Sequence, residues 1–253
     1  MTPNFRLYSQ YYDLLYQDKD YKSEAAYITR HLKQLLPDAK DLLELGCGTG
    51  NHARYLSEDG YNITGIERSP EMITLAKQKT IRGFEPIMAD ITDFRLGRKF
   101  DAALSLFHSL CYITTNEEIV AAFKAVSNHL NPGGIFAFDL WYGPAVLHHL
   151  PVSRSKVQQN EYLEVVRHGE TTMHLDRNVA EVSYEIIVKD RANDKYVTLK
   201  EVHPMRYFSI PEIGLIAEQT GFKMKSSEEF LTASLPTLES WNIFIILEKK
   251  DHA

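Results

Sequence analysis

Short apolar runs alternate with helix-length segments over residues 41–141, and few folds accommodate that rhythm. "DLLELG" reads as a buried strand, "NHARYLSEDGY" as a helix closed by Gly60, and "ITGIE" as a second strand. "PEMITLAKQK" follows as a helix with Pro70 in its first turn, then "FEPIMAD" as a third strand. "FDAALSLF", "NEEIVAAFKAVSNHL" and "GIFAFDLW" give a fourth strand, a helix and a fifth strand. Strands separated by helices of this length imply β-α-β units in a parallel sheet, with ligands bound at the carboxyl ends of the strands. Ahead of them, "SEAAYITRHLKQLLP" predicts a helix of about three turns, capped by Ser23 and stopped by Pro37.

From about residue 160 the rhythm changes. "EYLEVVRH", "TTMHLDRN", "VAEVSYEIIVK" and "KYVTLKEVHPMRYFS" are strand-like, and the third alternates through Val182, Tyr184, Ile186 and Val188. Asp190 to Asp194 forms the hairpin loop between the last two. "PEIGLIAEQTGF" is then a helix, and "KMKSSEEFL" and "WNIFIILEK" are closing strands. Residues 143–210 therefore read as an antiparallel β insertion within an α/β domain made of 37–142 and 211–253, preceded by an N-terminal helical segment, 1–36.

The composition fits one large core: 253 residues, 44% hydrophobic and 25% charged. A net charge of −6 without a basic stripe argues against a nucleic-acid partner, which clustered Lys and Arg would bind. The first residues carry no secretory apolar core and no apolar run nears the ~18 residues of a membrane helix, so a cytoplasmic chain without membrane contact is expected. Cys47 and Cys111 have no metal spacing and read as reduced interior cysteines.

At the first strand's end stand Gly46, Gly48 and Gly50. Bare backbone there lets a ligand approach closely and meet the amides of a helix N-terminus. The dinucleotide fingerprint needs its third glycine where Asn51 stands, and no Gly-Lys-Ser/Thr follows to make a P-loop. Glu44 precedes the glycines, Glu67 ends the second strand where it can accept both ribose hydroxyls, and Asp90 ends the third within reach of an adenine amino group. Three carboxylates with no Lys around the loop suit a cationic nucleoside without phosphates, and S-adenosyl-L-methionine fits that description.

The stretches "LLELGCGTG", "GIERS", "MADI" and "LNPGGIFAFDLW" resemble, in order and spacing, the motifs of class I S-adenosylmethionine-dependent methyltransferases. The resemblance implies an α/β, Rossmann-like seven-stranded fold, with the β insertion between the fifth strand and the last helix. It also implies that Gly46, Gly48 and Gly50 approach the methionine part, Glu67 the ribose and Asp90 the adenine. Cys47, Asn51, His52, Arg68, Met72, Ala89, Ile91 and Leu106 join the expected cofactor contacts, with Glu44. No metal is expected, since no acid closes the fourth strand in "SLFHSLCYI". The Pro-Pro-aromatic motif of DNA amino-methyltransferases is missing too.

Methyl transfer needs a nucleophile held in line and a way for its proton to leave. In this fold the acceptor meets the methyl near the fourth strand's end, which nominates His108 and Tyr112. His148 and His149 are adjacent, so they are expected to diverge on the surface and form no metal pair.

Tyr8, Tyr11, Tyr12 and Leu15 share a helical face before the first strand, a packing stripe that could also lie over the cofactor as a lid. "YYDLLYQDKDYKSEA", "DFRLGRKFDA" and the Trp after the fifth strand resemble the N,N-dimethyltransferases of nucleotide-linked amino sugars, of the desosamine and mycaminose type. That likeness implies Tyr12 at the sugar amine, Tyr21 at the methionine end, and a homodimer through the insertion. Where those relatives read Glu-Pro-Trp-Trp, this chain has "FDLWYGP", and its "YQDKDY" loop is two residues shorter. Both departures touch the acceptor side, leaving N- or O-methylation, or a heterocyclic acceptor, open. Trp141, Tyr142, Arg206 and Tyr207 are the expected substrate contacts. A cofactor-binding module without catalysis is the reading from another class, and an open acceptor cleft would argue against it.

Overall fold

A computed structural model describes residues 9–250. Helices α1 (Ser9–Leu15) and α2 (Tyr21–Leu35) lead into β1 (Asp41–Leu45), α3 (Asn51–Glu58), β2 (Asn62–Glu67), α4 (Pro70–Gln78) and β3 (Phe84–Met88). Next come β4 (Phe100–Ser105), a 3-10 turn at Ser109–Tyr112, α5 (Asn116–His129), β5 (Leu130–Trp141) and α6 (Gly143–His148). Strands β6 (Arg154–Gln159), β7 (Leu163–His174), β8 (Val179–Asp190) and β9 (Lys195–Arg206) follow, then α7 (Ile210–Gln219), β10 (Phe222–Glu229) and β11 (Asn242–Lys249).

Seven strands form one sheet in the order β10-β11-β5-β4-β1-β2-β3. β5, β4, β1, β2 and β3 run parallel, while β11 is antiparallel to both β5 and β10. Strand order reverses between β1 and β4, and the crevice beyond their carboxyl ends is where such a sheet binds ligands. The inner strands are covered on both faces, which is why β1, β4 and β11 are largely apolar rather than alternating, whereas the edge strands β3 and β10 are partly exposed. Leu43, Leu45, Phe136 and Phe138 pack toward α5 and α7, and Leu42, Leu104, Ala137 and Phe244 toward α2 and α3.

A second sheet, β6-β7-β8-β9, is antiparallel, with the hairpin at Asp190–Asp194 where it was expected. Val165, Ile186, Val188 and Leu199 line one of its faces and enclose Leu15 of α1, which is 0% exposed. The N-terminal stripe thus packs on the insertion through Leu15, with Tyr11 and Tyr12 alongside; Tyr8 lies outside the described residues.

Two local expectations are corrected, and two elements were not anticipated. α2 begins at Tyr21, because the Asp20 side chain, not Ser23, is the cap; it accepts the Ser23 amide at 2.9 Å. "EYLEVVRH" and "TTMHLDRN" belong to one strand, since β7 pairs with β8 without a break from Leu163 to His174. β6 carries no alternating pattern to read, being a polar, largely exposed edge strand. α6 is an unexpected helix opened by Pro144 in its first turn. Among the described residues, no helix is long and apolar enough to cross a membrane.

Candidate active site

A cavity of about 370 Å³ opens at the carboxyl ends of β1 and β4. Its walls come from three parts of the chain: the loops of the seven-stranded sheet, α1 through the first residue of α2, and β8 and β9.

The turn from β1 to α3 forms one end. Gly46, Gly48 and Gly50 all adopt left-handed φ, at 67°, 53° and 79°, but for different reasons. A Cβ on Gly46 would lie 2.6 Å from Ser109 Oγ, and one on Gly50 2.6 Å from Phe84 Cε1, so these two are bare because protein packs against them. A Cβ on Gly48 would meet nothing within 4 Å, so this is the glycine that leaves backbone open to a ligand. The Gly48 amide donates to Glu67 Oε2 at 3.2 Å and the Ser69 amide to Oε1 at 2.8 Å, which fixes the carboxylate at the cavity edge. Burial raises the Glu67 carboxyl above its usual range, against the pull of those amides. Asp90 is turned by accepting the Thr92 amide and hydroxyl at 2.9 and 2.6 Å.

Behind the loop runs a buried polar chain. Lys19 pairs with Glu24, His52 Nε2 lies 2.7 Å from Glu24 Oε2, and His52 Nδ1 lies 3.9 Å from Glu44 Oε1. Burial pushes Glu24 up, but His52 and Lys19 outweigh it and hold its carboxyl below the ordinary value. Glu44 is held less closely: its Oε2 is buried without a hydrogen bond, and desolvation, with Glu67 nearby, pushes its carboxyl up to about 8. The loop is not free of Lys. Lys79 reaches back from the end of α4 to Thr49 Oγ1 and Asn51 Oδ1 at 2.8 and 2.7 Å, its charge met by Asp13 of α1 at 2.8 Å.

The other end is aromatic. Phe107 and His108 leave β4 with consecutive left-handed φ of 57° and 61°, strained for non-glycine residues. Asp139, on neighbouring β5 and 1% exposed, holds that bend by accepting the His108 amide at 3.3 Å. His108 Nε2 lies 3.2 Å from Asp139 Oδ2 and 2.5 Å from Asn242 Oδ1, so it donates to acceptors beneath it. Burial raises the Asp139 carboxyl, and His108 opposes the shift. Tyr112, on the 3-10 turn, donates to His203 Nδ1 at 2.9 Å, and His203 Nε2 donates to Glu201 Oε2 at 3.0 Å. Tyr12 and Tyr16, 4.8 Å apart by ring centroid, close the cavity from α1 and the turn after it, with Phe107 edge-on to Tyr16 at 5.0 Å.

The structure brings together most of the residues nominated from sequence. Gly46, Cys47, Gly48, Asn51 and His52 line the loop end, with Glu67, Arg68, Met72, Asp90, Ile91 and Leu106. Tyr12, Tyr21, His108, Tyr112 and Trp141 line the rest. Glu44, Gly50 and Ala89 stand behind the wall rather than on it. Three expected substrate contacts are not brought to the cavity. Arg206 is buried against Asn116 and Glu212 at 2.7 and 2.6 Å, Tyr207 packs on Gly143, and Tyr142 packs against the main core. His148 and His149 do not diverge as expected: with Glu239 their side-chain ligand atoms lie within 4.8 Å of one another on the surface. The two cysteines are free and buried.

Sequence reasoning missed Tyr16, Phe107, Tyr184, His203 and Met205 on the cavity wall, and Asp139 beneath it. For His203 no local signal exists, since it is one polar residue in a long alternating strand.

Residues 42–134 match the family described as "Methyltransferase domain". The chain is 38% identical over 135 residues to the dTDP-3-amino-3,4,6-trideoxy-alpha-D-glucopyranose N,N-dimethyltransferase of Streptomyces venezuelae, covering 53% of this chain and 56% of that protein. It is 32% identical over 140 residues to the dTDP-3-amino-3,6-dideoxy-alpha-D-glucopyranose N,N-dimethyltransferase of Streptomyces fradiae, 54% of each. The chain thus spans about half the length of these curated relatives. The crystal structure of Streptomyces venezuelae DesVI superposes with a TM-score of 0.81 at 26% identity, over 96% of this chain and 98% of that one. The α/β methyltransferase fold and the resemblance to amino-sugar N,N-dimethyltransferases are both upheld.

Proposed function

We propose that this chain is a small-molecule methyltransferase that uses S-adenosyl-L-methionine and methylates the amine of a nucleotide-linked sugar. The carrying observation is that one cavity joins the Gly48–Glu67–Asp90 end to the Tyr12–His108–Tyr112 end. A binding module would need only the first end, and an open second end is what an acceptor requires. The names of the relatives support the amino sugar.

The donor set suits this cofactor. Gly48 leaves a cradle that a Cβ would fill, Glu67 is fixed at the edge to accept ribose hydroxyls, and Asp90 stands at the next strand's end for the adenine amino group. Glu67 and Asp90 are the acids on the cavity wall, and the charge of Lys79 is met by Asp13, which favours a cation. Bound there, S-adenosylmethionine supplies an activated methyl group on a sulfonium, chemistry that calls for no metal. The chain's own work is positioning. Tyr12 and Tyr16 cover the cavity and exclude water, Tyr21 stands beside His52 at the loop, and Asp139 and Asn242 lock the His108 ring toward the acceptor end.

The same reading keeps residues 1–36 as a lid, 37–142 with 211–253 as the cofactor domain and 143–210 as the acceptor wall, in a cytoplasmic protein. It also keeps a homodimer through the insertion. Val157, Val166 and Ile187 form a cross-strand row on the face away from α1, and Val157 and Ile187 are 57% and 38% exposed.

Mass spectrometry of nucleotide-linked amino sugars, hydroxyl sugars and heterocyclic amines, each incubated with the protein and S-adenosylmethionine, tests the activity. One or two methyl increments on the amino sugar are expected. A single increment confined to hydroxyl or ring acceptors would replace the amino-sugar reading, and no increment on any acceptor would leave only the binding module.

A further inference from the structure

Resting on that reading, we propose that His203, backed by Glu201, is the final acceptor of the proton released at the methylated atom, reached through the Tyr112 hydroxyl. Glu201 and His203 are two residues apart on β9 and so share one face, the face that also carries Tyr184 of β8 opposite Glu201. His203 is 2% exposed and lines the cavity, as does Tyr112. The Glu201 contact at 3.0 Å fixes hydrogen on Nε2 and leaves the Nδ1 lone pair for Tyr112 at 2.9 Å. The arrangement follows the logic of a carboxylate-oriented imidazole that deprotonates a hydroxyl. Burial keeps Tyr112 a phenol, so it hands a proton on instead of surrendering one outright.

His108 is less suited to this task, because its Nε2 is committed to Asp139 and Asn242. The other groups facing the Tyr112–His203 pair are Tyr16, Cys111 of the 3-10 turn, and Tyr184, whose ring carries Arg167 of β7 at 4.6 Å. Glu201 is in direct contact with the imidazole and stabilises it when charged. The step balances. The acceptor's N–H bond breaks and its electron pair stays on nitrogen. The proton bonds to Tyr112 Oη while the Tyr112 proton moves to His203 Nδ1, leaving an imidazolium against the Glu201 carboxylate. That proton returns to water when product leaves.

The test compares pH profiles of kcat/KM for the wild type, His203→Gln and Glu201→Gln, with 15N NMR of the wild-type histidine rings. At neutral pH, NMR should show His203 protonated on Nε2. His203→Gln should lose about 10²-fold in kcat, keep its KM for S-adenosylmethionine, and lose the acid limb of the profile. Glu201→Gln, the milder change, should move that limb to lower pH, and it decides the matter should His203→Gln fail to fold. A wild-type profile in both variants, or a hydrogen on Nδ1, would overturn the relay while leaving the methyltransferase reading intact. A wild type that methylates no acceptor would overturn both.

Discussion

Glu44 is 1% exposed, and its carboxyl is pushed up to about 8 by burial and by Glu67. In the fold it holds its proton up to about pH 8, whereas in the unfolded chain it ionises above about 4.5. Folding therefore takes up a proton in that window, and the stability contributed by this group falls as pH rises through it. Melting temperature without ligand should decline from pH 5 to 8, and Glu44→Gln should flatten the decline; an unchanged slope would place its origin elsewhere. The loop glycines separate packing from binding in the same way. Gly46→Ala meets Ser109 at 2.6 Å in a left-handed conformation and should cost about 1–3 kcal/mol in thermal stability. Gly48→Ala has room and should cost only about 1 kcal/mol. Its methyl enters the open cradle, however, so calorimetry should show at least about tenfold weaker binding of S-adenosylmethionine.

At the scale of elements, α1 is the instructive case. Seven residues cannot hold a helix alone in water, so its order depends on docking. Leu15 in the insertion's apolar cluster and Asp13 on Thr49, Asn51 and Lys79 supply that docking. Leu15→Ala removes about 2–5 kcal/mol, more than so short a segment can spare, so α1 should detach while both sheets persist. Limited proteolysis should then cut within residues 9–20, and cofactor affinity should fall as Tyr12 and Tyr16 leave the cavity, with little change in circular dichroism. Cooperative loss of the entire fold would instead make α1 an integral part of the core.

For the whole molecule, the cavity is enclosed by three chain segments that are distant in sequence. A ligand at about 100 times its Kd stabilises the folded state by about 2.7 kcal/mol, and a ligand filling this cavity should spread protection over all three walls. Hydrogen exchange with S-adenosylhomocysteine and the acceptor should slow α1, residues 106–112 and β8–β9 together; slowing confined to residues 46–51 would detach the insertion from the site. The five parallel strands, the glycine turn, Glu67 and Asp90 were legible because periodicity and turn chemistry are local properties of the chain. So was the hairpin at Asp190–Asp194. Arg206 and Tyr207 were misplaced, and His203 and Asp139 overlooked, because alternation along a strand shows that two faces exist but not which one covers a cavity. The sequence alone determined a parallel α/β core with a glycine turn after its first strand and acids at the next strand ends. Tertiary structure alone decided which insertion residues wall the cavity and that α1 covers it, because strand register and helix docking depend on partners more than a hundred residues away.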